Sequence, residues 1–196
     1  MRAACAILSA ILVLVAAPPY VIDTLRGKTK PERMTWFILS VLGMIAFVSQ
    51  VGLGASWSLA FSGADAAGSL LVFLLSIKHG VGGYTKLDIS ALIIATGGVA
   101  MAVGFKQPLI SLAGVILADI SGTGLTVRKA FLDPGSETTI SWVLCGTAAI
   151  FGILAVGSLS VAILLYPCYL LVANYAIPVA QVLGRSRHQV GATKPL

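Results

Sequence analysis

The chain has 196 residues, of which 58% are hydrophobic and only 10% are charged, and its mean hydropathy is +0.98. A soluble globular domain carries roughly 25% charged residues, so this composition excludes such a domain and indicates a protein embedded in a membrane. The net charge of +6 would also suit a nucleic-acid ligand, but the positions of the basic residues argue for a role in membrane orientation.

Seven apolar runs follow one another along the chain. A helix of about 20 residues, rising ~1.5 Å per residue, spans the ~30 Å hydrocarbon core of a bilayer. The first run follows Arg2 and so resembles a signal peptide, but no soluble mature protein comes after it. We therefore predict an all-α integral membrane protein with seven transmembrane helices. The predicted spans are residues 3–23, 34–54, 57–77, 89–105, 107–126, 140–156 and 160–183.

The polar segments after the first and fifth spans resemble each other. Thr24-Leu25-Arg26 corresponds to Thr126-Val127-Arg128, and residues 32–36 (ERMTW) correspond to residues 137–142 (ETTISW) with one insertion. Self-similarity of this kind indicates an internal repeat.

The apolar runs behind the two segments also match. Residues 34–77 and 140–183 are equally long, contain no Lys or Arg and carry a tryptophan at the third position. An odd number of spans places both repeats the same way up, as in transporters with parallel repeats related by an axis along the membrane normal. The predicted organisation is therefore 3+1+3. It comprises a first three-helix repeat (1–77), a loop and connector helix 4 (78–106), a second repeat (107–183) and a cytoplasmic tail (184–196).

The basic residues predict the orientation of the chain. Of the 13 Lys and Arg residues, all except Arg2 and Lys106 fall on one side of the seven predicted spans. Because Lys and Arg are enriched on the cytoplasmic side, we expect the N-terminus outside and the C-terminus in the cytoplasm, with a bacterial inner membrane as the location. The expected partners are the lipid bilayer and a small polar solute, without nucleic acid, and a homo-oligomer stays open.

One stretch resembles a known family. Pro18-Pro19, a basic segment and then Glu32-Arg33-Met34-Thr35 resemble the PQ-loop motif, which consists of Pro-Gln, basic residues and an E-G-x-S start to the second helix. The 3+1+3 layout is similar to SWEET sugar transporters, PQ-loop amino-acid exporters and PnuC vitamin-precursor transporters. The resemblance implies a transporter that moves a sugar, an amino acid or a vitamin precursor by alternating access between the two repeats, with Pro18 and Pro19 as a hinge.

Three polar residues within the spans are candidates for a solute site, namely Asp65, Asp119 and Asn174. Polar groups are costly in a membrane and mark functional sites by default. The resemblance implies that Asp65 and Asn174 line the pocket, since an asparagine on the third helix of each repeat does so in SWEET-like transporters. The alternative is that the carboxylates are structural and hydrogen-bond to Ser or Thr on a neighbouring helix.

Further candidates lie near the ends of the spans. Gln50 falls late in span 2, and Trp36 and Trp142 begin spans 2 and 6, where an aromatic belt at the interface is the favoured interpretation and solute contact the other. Pro167 in span 7 frees a backbone carbonyl and permits bending, so it is a second candidate hinge.

No pattern in the sequence indicates an enzyme, a cofactor or a metal. His79 and His188 lack metal-ligand spacing, and an intramembrane hydrolase that pairs Asp65 with Asp119 is a minor alternative. Two classes of function therefore compete. The first is a small-solute transporter, and the second is a non-transporting receptor, scaffold or assembly factor on the same fold.

Overall fold

A computed structural model describes the backbone of residues 1–52, 57–105, 107–156 and 161–192, and the side chains of 1–48, 66–105, 107, 109–156 and 164–187. The described residues form helices joined by loops, with one isolated bridge between Glu32 and Val81 and no strand. The helices are α1 (Arg2–Leu25), α2 (Arg33–Gly52), α3 (Trp57–His79), α4 (Lys86–Gly104), α5 (Pro108–Leu132), α6 (Thr139–Ala155) and α7 (Val161–Ala192). The predicted all-α class is confirmed, and each predicted span lies largely within one of these helices.

Four helical segments of the described chain are long and apolar enough to cross a membrane: Arg2–Leu25, Lys86–Gly104, Leu109–Leu132 and Leu164–Arg187. Shorter apolar segments lie in α2, α3 and α6. On α1, Ile11, Leu14 and Val15 are exposed, and exposed aliphatic side chains suit a lipid environment better than water. These features suit a helical protein associated with a membrane.

Two helices extend beyond the predicted spans. The sequence predicts a loop from residue 128, but α5 continues to Leu132, because the first strong stop is Asp133-Pro134 and a residue before proline disfavours the helical conformation. Likewise α7 continues past Gly184 to Ala192, so much of the predicted tail is helical. Gly184 is a packing position, since an added Cβ would lie 2.7 Å from the Pro134 side chain.

The chain divides into two compact units, of which the first comprises residues 1–29 and 126–196 and the second residues 30–125. In the first unit α6 packs against both α1 and α7. In the second unit α2 packs against α3 and α4. Each unit therefore takes helices from both predicted repeats, and the boundaries of the repeats stay a prediction from the sequence.

Small residues and hydroxyl groups join the helices of the first unit. The Ser9 hydroxyl on α1 donates to the carbonyl of Ala148 on α6 at 2.8 Å. The Tyr175 ring on α7 lies over Gly146, where an added Cβ would come within 2.7 Å of the ring. The Tyr175 hydroxyl also shares a 2.9 Å hydrogen bond with Thr147. Small side chains let helices approach closely where lipid supplies no hydrophobic driving force.

A compact apolar core holds the second unit together. Its buried members come from three helices and are Ile38 on α2, Ala91 and Ala95 on α4, and Ala118 on α5. Helices α4 and α5 touch backbone to backbone, since a Cβ added at Gly98 would overlap the carbonyl oxygen of Gly114 and lie 2.8 Å from the amide of Ala118.

Candidate functional site

Two buried glutamates occupy corresponding positions in the repeated segment. Glu32 lies directly before α2 and Glu137 lies just before α6, and their relative exposures are 3% and 5%. A carboxylate removed from water needs hydrogen-bond donors or a counter-charge, and without them it takes up a proton. The surroundings of the two side chains therefore decide what each can do.

Glu137 is surrounded by donors, which form the Glu137 cluster with it. The Lys129 ammonium makes an ion pair with Oε1, and the Tyr20 hydroxyl donates to the same oxygen at 3.2 Å. The Trp142 indole N–H donates to Oε2 at 2.7 Å. With a lysine and two neutral donors, the carboxylate is satisfied in its ionised form.

A side chain of α7, Gln181, holds the backbone around Glu137 in place. The Gln181 side-chain amide donates to the carbonyls of Pro134 at 2.9 Å and Glu137 at 3.0 Å, and its oxygen accepts from the Thr139 hydroxyl at 2.8 Å. The ring of Tyr20 meets that of Trp142 edge-on, with centroids 5.9 Å apart. The cluster thus joins α1, the α5–α6 loop, α6 and α7 at one end of the first unit.

The donors to Glu32 come from the first turn of α2, namely the backbone N–H groups of Met34 and Thr35 and the Thr35 hydroxyl. Its Oε2 accepts from the backbone N–H of Thr35 at 2.6 Å and lies 2.9 Å from the Thr35 hydroxyl. Its Oε1 is buried, and no donor within the described part of the chain reaches it. A buried carboxylate oxygen without a donor costs roughly 1–3 kcal/mol or more, so the ionised form of Glu32 is poorly supported.

The loop between α3 and α4 covers Glu32. Gly82 has a φ of +77°, and a Cβ added there would overlap Oε1 of Glu32 and lie 3.6 Å from Oδ1 of Asp88. The other oxygen of Asp88 accepts from the amides of Gly83 at 2.7 Å and Thr85 at 2.8 Å, as part of the capping box that starts α4. Two carboxyl groups therefore face the same glycine.

Arg33, next to Glu32 in sequence, is directed at the loop. Its guanidinium donates to the carbonyl of Gly82 at 2.6 Å and to that of Ser76 at 3.2 Å and 3.3 Å. The loop also bonds to the segment before α2, since the amide of Val81 donates to the carbonyl of Pro31 at 2.9 Å. These bonds fix the loop over Glu32 without a direct donor to its free oxygen.

Burial raises the pKa of Glu32 above its ordinary value of 4.5. Hydrogen bonds from Thr35 and from the backbone N–H of Met34 oppose this rise, and the nearby Asp88 charge adds to it. The sign agrees with the geometry, because the side chain is enclosed and has one oxygen without a donor.

Two of the predicted solute residues are described in full. Asp119 is buried at 5% exposure and accepts a 2.9 Å hydrogen bond from the hydroxyl of Thr123, one turn further along α5. Asn174 donates from its side chain to the carbonyl of Leu170 at 2.8 Å. Pro178 has no N–H to offer the carbonyl of Asn174, so α7 presents a backbone acceptor beside this amide.

The roles of the remaining candidates stay predictions. Trp142 is buried and bonded to Glu137, and Trp36 is half-buried. The candidate hinges lie inside continuous helices, Pro18 and Pro19 in α1 and Pro167 in α7. Asp65 and Gln50 lie in α3 and α2, but their side chains fall outside the described residues.

The sequence analysis missed Lys129, Tyr20 and Asp88 as members of these clusters. Their partners lie far along the chain or across a loop, and no local spacing connects them. The available signal was the repeat itself, because Glu32 and Glu137 are the acidic residues that it holds in register.

Two other features of the described chain bear on function. An apolar groove of about 270 Å³ lies between α6 and α7, lined by Val143, Tyr175, Pro178, Val179, Val182 and Leu183. Among the described residues, no three His, Cys, Asp or Glu side chains lie close enough together to hold a metal ion.

The fold and these clusters define a class, a helical protein with several helices long and apolar enough to cross a membrane and with two buried glutamates next to the starts of α2 and α6. In comparisons with known proteins, no family model, no curated protein and no solved structure matches the chain.

Proposed function

We propose that the protein is a transporter of a small polar solute, of the SWEET and PQ-loop type that its motif resembles. Its seven helices form two parallel three-helix repeats joined by α4, and the solute is exchanged by alternating access between them. The solute is a sugar, an amino acid or a vitamin precursor.

A pair of matched contacts carries this proposal. The sequence offset that aligns Thr24 with Thr126 also aligns Tyr20 on α1 with Gly122 on α5. Tyr20 bonds to Glu137 at the start of α6, and the carbonyl of Gly122 accepts from Thr35 at the start of α2 at 2.5 Å. In each case the first helix of one repeat meets the start of the second helix of the other. Such exchange supports true internal symmetry, which is common in transporters.

Polar groups inside the long apolar helices also support transport. Asp119 and Asn174 lie in α5 and α7, and both helices contain segments long and apolar enough to span a membrane. Intramembrane polar residues of this kind commonly mark a solute or ion pathway. The other sequence candidates for solute contact, Asp65, Gln50, Trp36 and Trp142, stay predictions.

Uptake by the purified protein in proteoliposomes tests the proposal. We expect one of a panel of labelled sugars, amino acids and vitamin precursors to accumulate above the level in protein-free vesicles. Asn174→Leu removes the polar side chain at similar volume and should reduce that uptake about tenfold, the effect of losing ~1.4 kcal/mol of solute binding. The control is Ser90→Ala on α4, whose exposed hydroxyl bonds only within its own helix at Lys86.

Absence of uptake for every solute in the panel would contradict the proposal, as would an Asn174→Leu variant that transports at the wild-type rate. Thermal stabilisation by the transported solute in detergent gives a second reading, since binding to the folded state raises its stability.

A non-transporting scaffold is the second candidate, and the groove between α6 and α7 favours it. Its lining is apolar and includes Val179, Val182 and Leu183, which suits the side chains of another transmembrane helix. In that case Val182→Ser should abolish co-purification with a membrane partner, and Asn174→Leu should have no effect on it.

A further inference from the structure

We propose that Glu32 and Asp88 form a proton-binding site, in which one proton held between Glu32 and its neighbours fixes the α3–α4 loop to the start of α2. The site belongs to the second unit alone and needs no transported solute. A test of this site therefore does not depend on whether the protein transports a solute.

The first argument for a proton on Glu32 is that the Thr35 hydroxyl has too few hydrogens for its two contacts. The Thr35 hydroxyl lies 2.9 Å from Oε2 of Glu32 and 2.5 Å from the carbonyl oxygen of Gly122. A hydroxyl has a single hydrogen, and a carbonyl oxygen can only accept. When the hydroxyl hydrogen goes to Gly122, the contact between Glu32 and Thr35 requires a hydrogen on Glu32.

The second argument for a proton is the position of the other carboxyl oxygen of Glu32, Oε1. Oε1 is buried, no donor in the described part of the chain reaches it, and it faces Gly82 together with Oδ1 of Asp88. Two carboxylates that face one glycine repel each other, and one proton on Glu32 removes that repulsion. A proton therefore has two useful positions, on Oε2 towards Thr35 or on Oε1 towards the side of Asp88.

The charged groups around Glu32 do not remove the need for this proton. Arg33 directs its guanidinium at the carbonyls of Ser76 and Gly82. Lys30, Lys78 and Lys86, in the segments that border the site, have exposed side chains, and His79 at the end of α3 is half-buried. On α5, Asp119 accepts from Thr123. Asp88 is the charge that acts on Glu32, and it acts in the direction that favours the proton.

Glu137 provides an internal comparison. It occupies the corresponding position in the second repeat, but its oxygens accept from Lys129, Tyr20 and Trp142. The same residue at the same point of the motif thus has a lysine and two neutral side-chain donors in one unit and a neighbouring carboxyl group in the other.

The dependence of stability on pH follows from the sign of the shift. The pKa of Glu32 is raised in the folded chain, so the folded state binds the proton more tightly than the unfolded state. The stabilisation is complete below the ordinary value of 4.5 and is lost as the pH rises through the folded-state pKa. Loss of the proton leaves two negative charges under the loop and releases it.

Thermal unfolding of the full chain in detergent and infrared spectroscopy test the site together. Relative to Glu32→Gln, which keeps the size and neutrality of the acid, the wild-type Tm should fall by about 2–4 °C more as the pH rises through the folded-state pKa. Below the folded-state pKa of Glu32, the wild-type spectrum should contain a carboxylic acid C=O stretch that Glu32→Gln lacks. The matched control, Glu137→Gln, should retain that band, because the band belongs to Glu32.

A second variant keeps the test decisive if Glu32→Gln does not fold. Asp88→Asn retains Glu32 and a capping side chain but removes the neighbouring charge, so the band should disappear at a lower pH than in the wild type. Identical wild-type and Glu32→Gln spectra would overturn the proposal, and so would an unchanged pH midpoint in Asp88→Asn. A Tm that rises with added sodium at fixed pH in the wild type only, without the acid band, would assign the site to a metal cation instead.

Discussion

A buried carboxyl group can be stabilised by donors or by a proton, and the two glutamates at this motif position have different neighbours. Glu137 makes an ion pair with Lys129 and also accepts from Tyr20 and Trp142. Glu32 accepts from Thr35 and Met34, and no donor in the described part of the chain reaches its Oε1. Removal of one partner from a buried ion pair costs about 3–5 kcal/mol of folding stability. Substitutions in the Glu137 cluster should therefore destabilise the protein more than substitutions at the Glu32 site.

Trp142→Phe tests the contribution of the indole N–H to the Glu137 cluster. The ring remains available to pack against Tyr20, but Oε2 of Glu137 loses a 2.7 Å hydrogen bond. We expect a loss of about 1–3 kcal/mol, the cost of leaving a buried acceptor unpaired, measured by thermal or denaturant unfolding in detergent. Tyr84→Phe, at an exposed position, is the control and should stay within about 0.5 kcal/mol of the wild type. Equal stability of the two variants would show that Trp142 acts as an interface residue.

At the scale of residues, the sequence predicted which positions repeat but not what they bond to. The match between Glu32 and Glu137 follows from the order of letters alone. The difference in their surroundings depends on Lys129 one helix earlier and on Asp88 across a glycine loop. Such contacts form only when the chain folds, and no local pattern specifies them.

At the scale of helices, two adjacent glycines on α4 show the difference between a tightly packed position and an open one. A Cβ at Gly98 would overlap the backbone of Gly114 on α5, whereas nothing lies within 4 Å of a Cβ at the neighbouring Gly97. Gly98→Ala should therefore push α4 and α5 apart at a cost of about 1–3 kcal/mol. Gly97→Ala should be neutral or stabilise by about 0.4–1 kcal/mol, because alanine restricts the unfolded chain.

The two variants form a matched pair on adjacent residues of one helix, and unfolding in detergent measures both. If Gly98→Ala were as stable as Gly97→Ala, the close contact between α4 and α5 would not exist in the protein.

Hydrophobic runs located the helices well because their lengths follow from composition. The ends were harder to predict, since they depend on specific contacts. Helix α4 starts at Lys86 through the capping box of Thr85 and Asp88, although the apolar run starts at Ile89. Gly184 reads as a stop in the sequence, but in the structure it lets α7 pass close to Phe131 and Pro134.

At the scale of the whole molecule, the sequence predicted repeats along the chain, while the compact units combine helices from both repeats. The first unit contains α1 with α6 and α7, and the second contains α2, α3 and α4 with most of α5. Sequence similarity identifies equivalent helices but contains no information about which copy each helix packs against. If the repeats are real, this exchange couples them, since neither unit can form from one repeat alone.

The number and direction of membrane crossings are the broadest prediction. Because all but two of the 13 Lys and Arg residues fall on one side of seven spans, we expect the N-terminus outside and the C-terminus in the cytoplasm. Epitope tags placed before Met1 and after Leu196, probed in intact and in permeabilised bacterial cells, measure this directly. The N-terminal tag should be labelled in cells in which only the outer membrane has been opened and the inner membrane is intact. The C-terminal tag should be labelled only after the inner membrane is permeabilised. Equal labelling of both tags in intact cells would require an even number of crossings, which would rule out seven spans and with them the parallel arrangement of the repeats.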